Sequence, residues 1–149
     1  MDGYRYRRRL PHWREPRAVY FITWRLTQGA PDLADEERSA VAEALHHFAD
    51  ARYRLIAFVV MNDHVHVVLE PADGEALEVL VHSWKSFTAR RLQQAGRRGR
   101  VWQPEYFDRI VRDADELREK VTYIANNPAK RWPEIDLYPW VWVAADPFA

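Results

Sequence analysis

Two imidazoles separated by one apolar residue occur at His64-Val65-His66, inside the β-branched run of residues 59–69. Along a strand, side chains alternate faces, so His64 and His66 share one face while Val65, Val67 and Leu69 share the other. A pair of imidazoles on one strand face is a preassembled half of a metal site. A second pair, Tyr123 and Asn127, is spaced i, i+4 on a segment where Leu117, Val121 and Ile124 recur at helical intervals. The phenol and the carboxamide therefore stand one above the other beside the buried stripe, positioned to face the same small volume. Asn127 precedes Pro128, which predicts extended geometry at Asn127 and a helix that stops there. Each pair also has a plain structural role available: polar strand residues, a packing tyrosine, an ordinary helix end. Spacing alone does not bring the two pairs together.

The elements that must position them follow from pattern. Residues 18–26 and 53–61 are β-branched and aromatic, so strands, and Asn62-Asp63 is a two-residue turn returning the chain as a hairpin arm over 64–70. Residues 35–51 predict a helix with Val41, Leu45 and Phe48 on one stripe. A second helix runs from 77 to about 96 through Leu77, Leu80, Val81, Trp84, Phe87 and Leu92. A short strand is expected over 106–111, and Asp113 with Glu116 resembles a capping box opening a third helix. The order β-α-β-β-α-β plus a helix is an α+β, ferredoxin-like split βαβ: an antiparallel sheet with its first two helices on one face and a C-terminal helix bearing Tyr123. Three regions are expected: a basic arm (1–17), one domain (18–130) and a Trp/Pro-rich strap (131–149) lying irregularly across the core.

Composition narrows the function. The 149 residues contain no cysteine, which excludes disulfides, cysteine-ligated zinc, iron–sulfur clusters and thiol catalysis. No run is long enough to span a membrane and no secretory signal opens the chain, so cytoplasmic residence is the expectation. Formal net charge is zero, with 22 basic and 22 acidic residues, yet the two signs are segregated. Bases gather at Arg5, Arg7, Arg8 and Arg9 and again at Lys85, Arg90, Arg91, Arg97, Arg98 and Arg100. Acids gather at Asp32, Asp35, Glu36, Glu37, Glu43 and Asp50. Such segregation points either to an electropositive surface with forked phosphate contacts or to solvated helix faces.

The motifs also resemble a known family. His64-Val65-His66, a His-hydrophobe-His motif, followed by Tyr123-Ile124-Ala125-Asn126-Asn127-Pro128, is similar to the signature of single-tyrosine HUH transposases, specifically the REP-associated tyrosine transposases. The likeness extends to Leu10-Pro11-His12-Trp13, Tyr20-Phe21-Ile22-Thr23-Trp24-Arg25-Leu26, Ser83-Trp84-Lys85-Ser86-Phe87-Thr88 and Val101-Trp102-Gln103-Pro104-Glu105-Tyr106-Phe107-Asp108-Arg109, so it covers about residues 9–128. One departure is Met61-Asn62-Asp63-His64, where relatives commonly read Met-Pro-Asn-His; Asp63 is expected to cap the turn, or else to help recruit a cation.

The resemblance implies a nuclease and strand transferase acting on single-stranded DNA at palindromic hairpin repeats. Tyr123 would be the nucleophile that forms a 5′-phosphotyrosine. His64, His66 and Asn127 would be ligands of a divalent ion, Mg2+ or Mn2+, and two imidazoles plus an amide suit manganese at least as well. DNA contacts would come from Arg5, Arg7, Arg8, Arg9, Lys85, Arg90, Arg91, Arg97, Arg98 and Arg100, and the protein would be a monomer or a homodimer. Two competing classes keep the same surface: a non-catalytic single-stranded nucleic-acid-binding module that does not need Tyr123, and a metal hydrolase that uses water.

Overall fold

The computed structural model describes residues 18–148. The arginines of the N-terminal arm (Arg5, Arg7, Arg8 and Arg9) lie outside the described residues. The elements run β1 (Val19–Arg25), α1 (Asp35–His47), β2 (Tyr53–Val60), β3 (His64–Pro71), α2 (Leu77–Gln94), β4 (Phe107–Val111), α3 (Ala114–Arg131) and β5 (Val141–Val143). The sheet order is β4-β1-β3-β2-β5, with every neighbouring pair antiparallel. The hairpin arm β3 lies between β1 and β2, as a split βαβ requires.

Alternation along the strands builds two cores, one on each sheet face. On the first, Tyr20, Ile22 and Trp24 of β1 and Val65, Val67 and Leu69 of β3 pack under α1 and α2. Here Trp24 stacks on Trp84 with ring centroids 5.6 Å apart, and the Trp84 indole N–H donates to the Tyr53 hydroxyl at 2.9 Å. On the second face, Phe21, Val59 and Val68 meet Leu117 and Ile124 of α3. A bulge in β2 between Leu55 and Ala57 turns Ile56 and Ala57 both toward α3 before alternation resumes. The sheet is thus sandwiched between two helices and one.

Four sequence expectations change. Helix α1 ends at His47 and not near residue 51, and Asp50 takes a left-handed conformation (φ 72) in the turn into β2. The region 131–149 is not wholly irregular: Val141–Val143 pairs with Ala57–Val59 as a fifth, edge strand. Trp142 stacks on Phe58 and Trp140 donates to Ser39, so its tryptophans cover core. Pro128 does not stop α3, and Asn127 is helical rather than extended; the helix continues to Arg131. Proline removes the hydrogen bond to the Ile124 carbonyl, but Ile124, Asn127 and Pro128 are all buried against the sheet. The Trp132 N–H still closes on the Pro128 carbonyl at 2.7 Å. Packing overrides a local preference worth about 3 kcal/mol when nothing opposes it.

The segregated charges also meet in space. Arg97, in the basic loop, forms two 2.7 Å bonds with the Glu37 carboxylate and also binds the carbonyls of Pro31 and Asp32. Arg91 faces Glu43 at 3.5 Å. Lys85 donates to the carbonyls of Gln103 and Pro104. Arg97 and Lys85 are engaged inside the fold, whereas Arg91 pairs with Glu43 at the surface and Arg90, Arg98 and Arg100 are likewise exposed.

Candidate active site

Register decides what stands beside the histidines. In the β1–β3 ladder Thr23 is opposite His66 and Arg25 opposite His64, and opposed residues of an antiparallel pair share a face. Thr23 Oγ1 lies 2.7 Å from His66 Nδ1, and both side chains are buried. The Asp63 carboxylate lies 2.7 Å from His64 Nδ1. Asp63 therefore holds an imidazole and does not simply cap its turn; the turn is tied instead through Asn62, which donates to Asp32. The two imidazole centroids are 4.7 Å apart. Each ring is engaged through Nδ1, and the buried Nε2 of His66 has no hydrogen-bond partner.

Helix α3 brings the phenol to this pair. Its first turn is pinned by Asp113, which caps the Glu116 N–H at 2.8 Å, and by Glu116, which accepts from Arg109 of β4 at 2.6 Å. Its last turn is anchored by Trp132 stacked on Tyr138, whose hydroxyl donates to the Val60 carbonyl. With both ends fixed across the sheet, the rotation of the helix is set. Tyr123 then lies with its ring centroid 5.3 Å from His66 and 6.1 Å from Phe21, yet it is 43% exposed. Phe21 in turn stacks on His66 at 5.4 Å. A cleft of about 580 Å³ opens here, walled by Phe21, Thr23, Arg25, His66, Lys120 and Tyr123 among others. Asn127 is buried one turn beyond Tyr123 on the same helix.

Burial pushes His66 down to about 3, with the charges of His64, Arg25 and Lys120 adding to the effect. Burial also lowers His64, opposed by its bond to Asp63. Both imidazoles are thus neutral at neutral pH, the form that can offer a lone pair to a cation. The outer partners on Nδ1 are those that orient metal-binding histidines elsewhere. Among the described residues no cluster of three or more histidines, cysteines and acids forms. The donor set at this site is two imidazoles, with the Asn127 carboxamide as the remaining candidate. The orphaned Nε2 of His66 is the observation that fits these residues to a divalent ion.

The sequence motifs therefore converge: His64, His66 and Tyr123 meet in one chain. Thr23, Arg25 and Lys120 were not singled out from sequence, because their relevance depends on strand register and helix rotation. Only Lys120, three residues before Tyr123 and so on a shared helix face, carried a local signal.

The sequence profile described as "Transposase IS200 like" matches residues 17–127. The chain belongs to the IS200-like transposase family. Among curated relatives, a Haemophilus influenzae protein assigned as a REP-associated tyrosine transposase is 22% identical over 138 residues, covering 74% of this chain and 77% of that protein. The REP-associated tyrosine transposase of Escherichia coli is 25% identical over 81 residues, which cover 54% of this chain and 47% of the relative. In solved structures, a REP-associated tyrosine transposase bound to a REP hairpin superposes with TM-score 0.73 at 19% identity, covering 87% of this chain and 78% of that one. A Deinococcus radiodurans protein assigned as a transposase gives TM-score 0.55 at 23% identity, over 73% of this chain and 88% of the other. These two likenesses establish the fold that this IS200-like transposase shares with them.

Proposed function

We propose that this protein cleaves and rejoins single-stranded DNA beside palindromic hairpin repeats, through a covalent 5′-phosphotyrosine on Tyr123. The observation that carries the proposal is the placement of a half-exposed phenol 5.3 Å from the His66 ring, at the edge of an open cleft. The hairpin substrate is suggested by the related transposase solved with a REP hairpin.

Tyr123 Oη attacks phosphorus in line with the bond to the 3′ oxygen. The new O–P bond forms, the P–O3′ bond breaks, the phenol gives up its proton and the 3′ oxygen takes one up. The phosphodiester energy is kept in the tyrosyl ester, so a 3′-hydroxyl can reverse the step and rejoin DNA without a nucleotide cofactor. His64 and His66, through Nε2, and Asn127, through its carboxamide oxygen, would hold a divalent ion, Mn2+ or Mg2+. A cation bound there withdraws charge from the non-bridging oxygens of the scissile phosphate. Asp63, an acceptor only, holds His64 in the tautomer that leaves Nε2 free, and the Thr23 hydroxyl would accept from Nδ1 of His66 to the same effect. The exposed Arg90, Arg98 and Arg100, with Arg91, would contact phosphates away from the reacting atoms, and the N-terminal arginines would join them. Because Tyr123 packs 5.3 Å from His66 of the same chain, the proposal assigns a whole site to each protomer.

The test uses labelled single-stranded DNA flanking a hairpin, with Mn2+, and a denaturing gel. Wild type should give a denaturant-resistant protein–DNA adduct, and Tyr123→Phe none. A mobility shift without cleavage in either protein would make this a binding module; cleavage that survives Tyr123→Phe would assign the nucleophile to water. His64→Ala and His66→Ala should abolish cleavage while leaving hairpin affinity within a few-fold.

A further inference from the structure

Lys120 stands one turn before Tyr123 on α3, and residues spaced i, i+3 share a helix face. Its ammonium lies 5.1 Å from the centroid of Phe21, the ring that also stacks on His66 and meets the edge of Tyr123. Phe21 is thus a common floor for a base-like ring, a phenol and a cation, and all three side chains line the same cleft. Glu116, one turn back, feels the charge of Lys120, but its oxygens are bonded to Arg109 and to the Arg112 N–H, and among the described residues no carboxylate comes within ion-pair distance of Lys120. Contact with an aromatic face attracts an ammonium without cancelling its charge. The same cleft is also lined by Arg25, opposite His64 in register. An unpaired ammonium beside a nucleophile, in a cleft with a second cation, is an arrangement suited to an anion held between them.

Resting on the proposed function, we propose that Lys120 is a catalytic residue: its ammonium binds a non-bridging oxygen of the scissile phosphate on the tyrosine side and stabilises the charge that builds there as Tyr123 attacks. Lys120 stays protonated throughout, so it changes no proton count in the step. The charge and not the stem does the work, which separates this role from packing over Phe21.

The test is a chemical double-mutant cycle on the full chain with Mn2+. Lys120→Met keeps the apolar stem and removes the charge; Lys120→Arg keeps the charge. The DNA carries either the natural scissile phosphodiester or a methylphosphonate there, which lacks the anionic oxygen. On the natural linkage Lys120→Met should slow single-turnover adduct formation by about 100- to 1,000-fold, the scale of one lost charge-stabilising donor. Lys120→Arg should recover most of that rate, and hairpin affinity should move less than a few-fold. On the methylphosphonate, Lys120→Met and wild type should react alike. An equal penalty on both linkages, or no penalty on the natural one, overturns the assignment while leaving Tyr123 as nucleophile. A wild-type protein that forms no adduct on the natural linkage overturns the proposed function, and this inference with it.

Discussion

Replacing Thr23 with valine keeps the β-branched shape and removes only the hydroxyl that holds His66. In the native site that hydroxyl lies 2.7 Å from Nδ1, both residues are buried, and Nε2 already lacks a partner. With the imidazole pushed down to about 3, the ring is neutral at neutral pH. For Nε2 to serve as a ligand, Nδ1 must carry the hydrogen and donate it to Thr23. Valine leaves that N–H in hydrocarbon with no acceptor, which costs about 1–3 kcal/mol; urea unfolding of the metal-free protein should show a loss of that size. The freed ring also loses its orientation. Outer partners of ligating histidines are worth about 10- to 100-fold in metal affinity, so the Mn2+ concentration for half-maximal cleavage should rise by that factor. The rate at saturating Mn2+ should return to within several-fold of wild type, and Thr23→Ser should restore both quantities. Unchanged stability together with an unchanged Mn2+ midpoint would refute the idea that Thr23 orients the imidazole.

The depressed His66 has a pH signature in the metal-free protein. Below about pH 6.5 the unfolded chain takes up a proton that the folded ring refuses, so stability falls with pH, by about 2 kcal/mol at pH 5. His66→Gln should flatten the curve between pH 7 and 5, and a wild-type curve that is already flat would contradict the buried neutral ring. Equimolar mixing of Tyr123→Phe with His66→Ala should not restore cleavage, since each protomer lacks half of its own site; recovered activity would mean that chains exchange the helix or share the site. Arg97→Met should lose about 2 kcal/mol in urea unfolding, because it strands the half-buried Glu37 and two carbonyls. Arg98→Met should leave stability unchanged but reduce the salt dependence of hairpin binding by about one phosphate contact. A reversal of that pattern, with Arg97 needed for DNA and not for folding, would return Arg97 to the DNA surface.

Much of the site was legible because its signals are periodic. Strand alternation put His64 and His66 on one face with Val65, Val67 and Leu69 on the other, and the two hydrophobic cores divide along that line. The Asp113 cap is equally local, since the donor and acceptor are three residues apart. Local rules failed where distant contacts outweighed them. Pro128 is a helix breaker in isolation, yet it sits inside α3 because burying Ile124, Asn127 and Pro128 offsets the lost hydrogen bond. Residues 141–143 are β-branched and aromatic but form a run of only three between proline-containing neighbours, and they become a strand because the edge of β2 is open to pair with them. The basic loop and the acidic helix are far apart in sequence and are joined by Arg97 and Glu37.

Residue order by itself determined which groups are available for chemistry and on which side of their own element they stand, because strand and helix periods are properties of the backbone. Tertiary structure alone decided which of those groups meet. The register that sets Thr23 against His66 and the clamping of α3 at both ends bring Tyr123 and Lys120 over Phe21. These contacts join residues tens of positions apart, and no periodicity within one element encodes them.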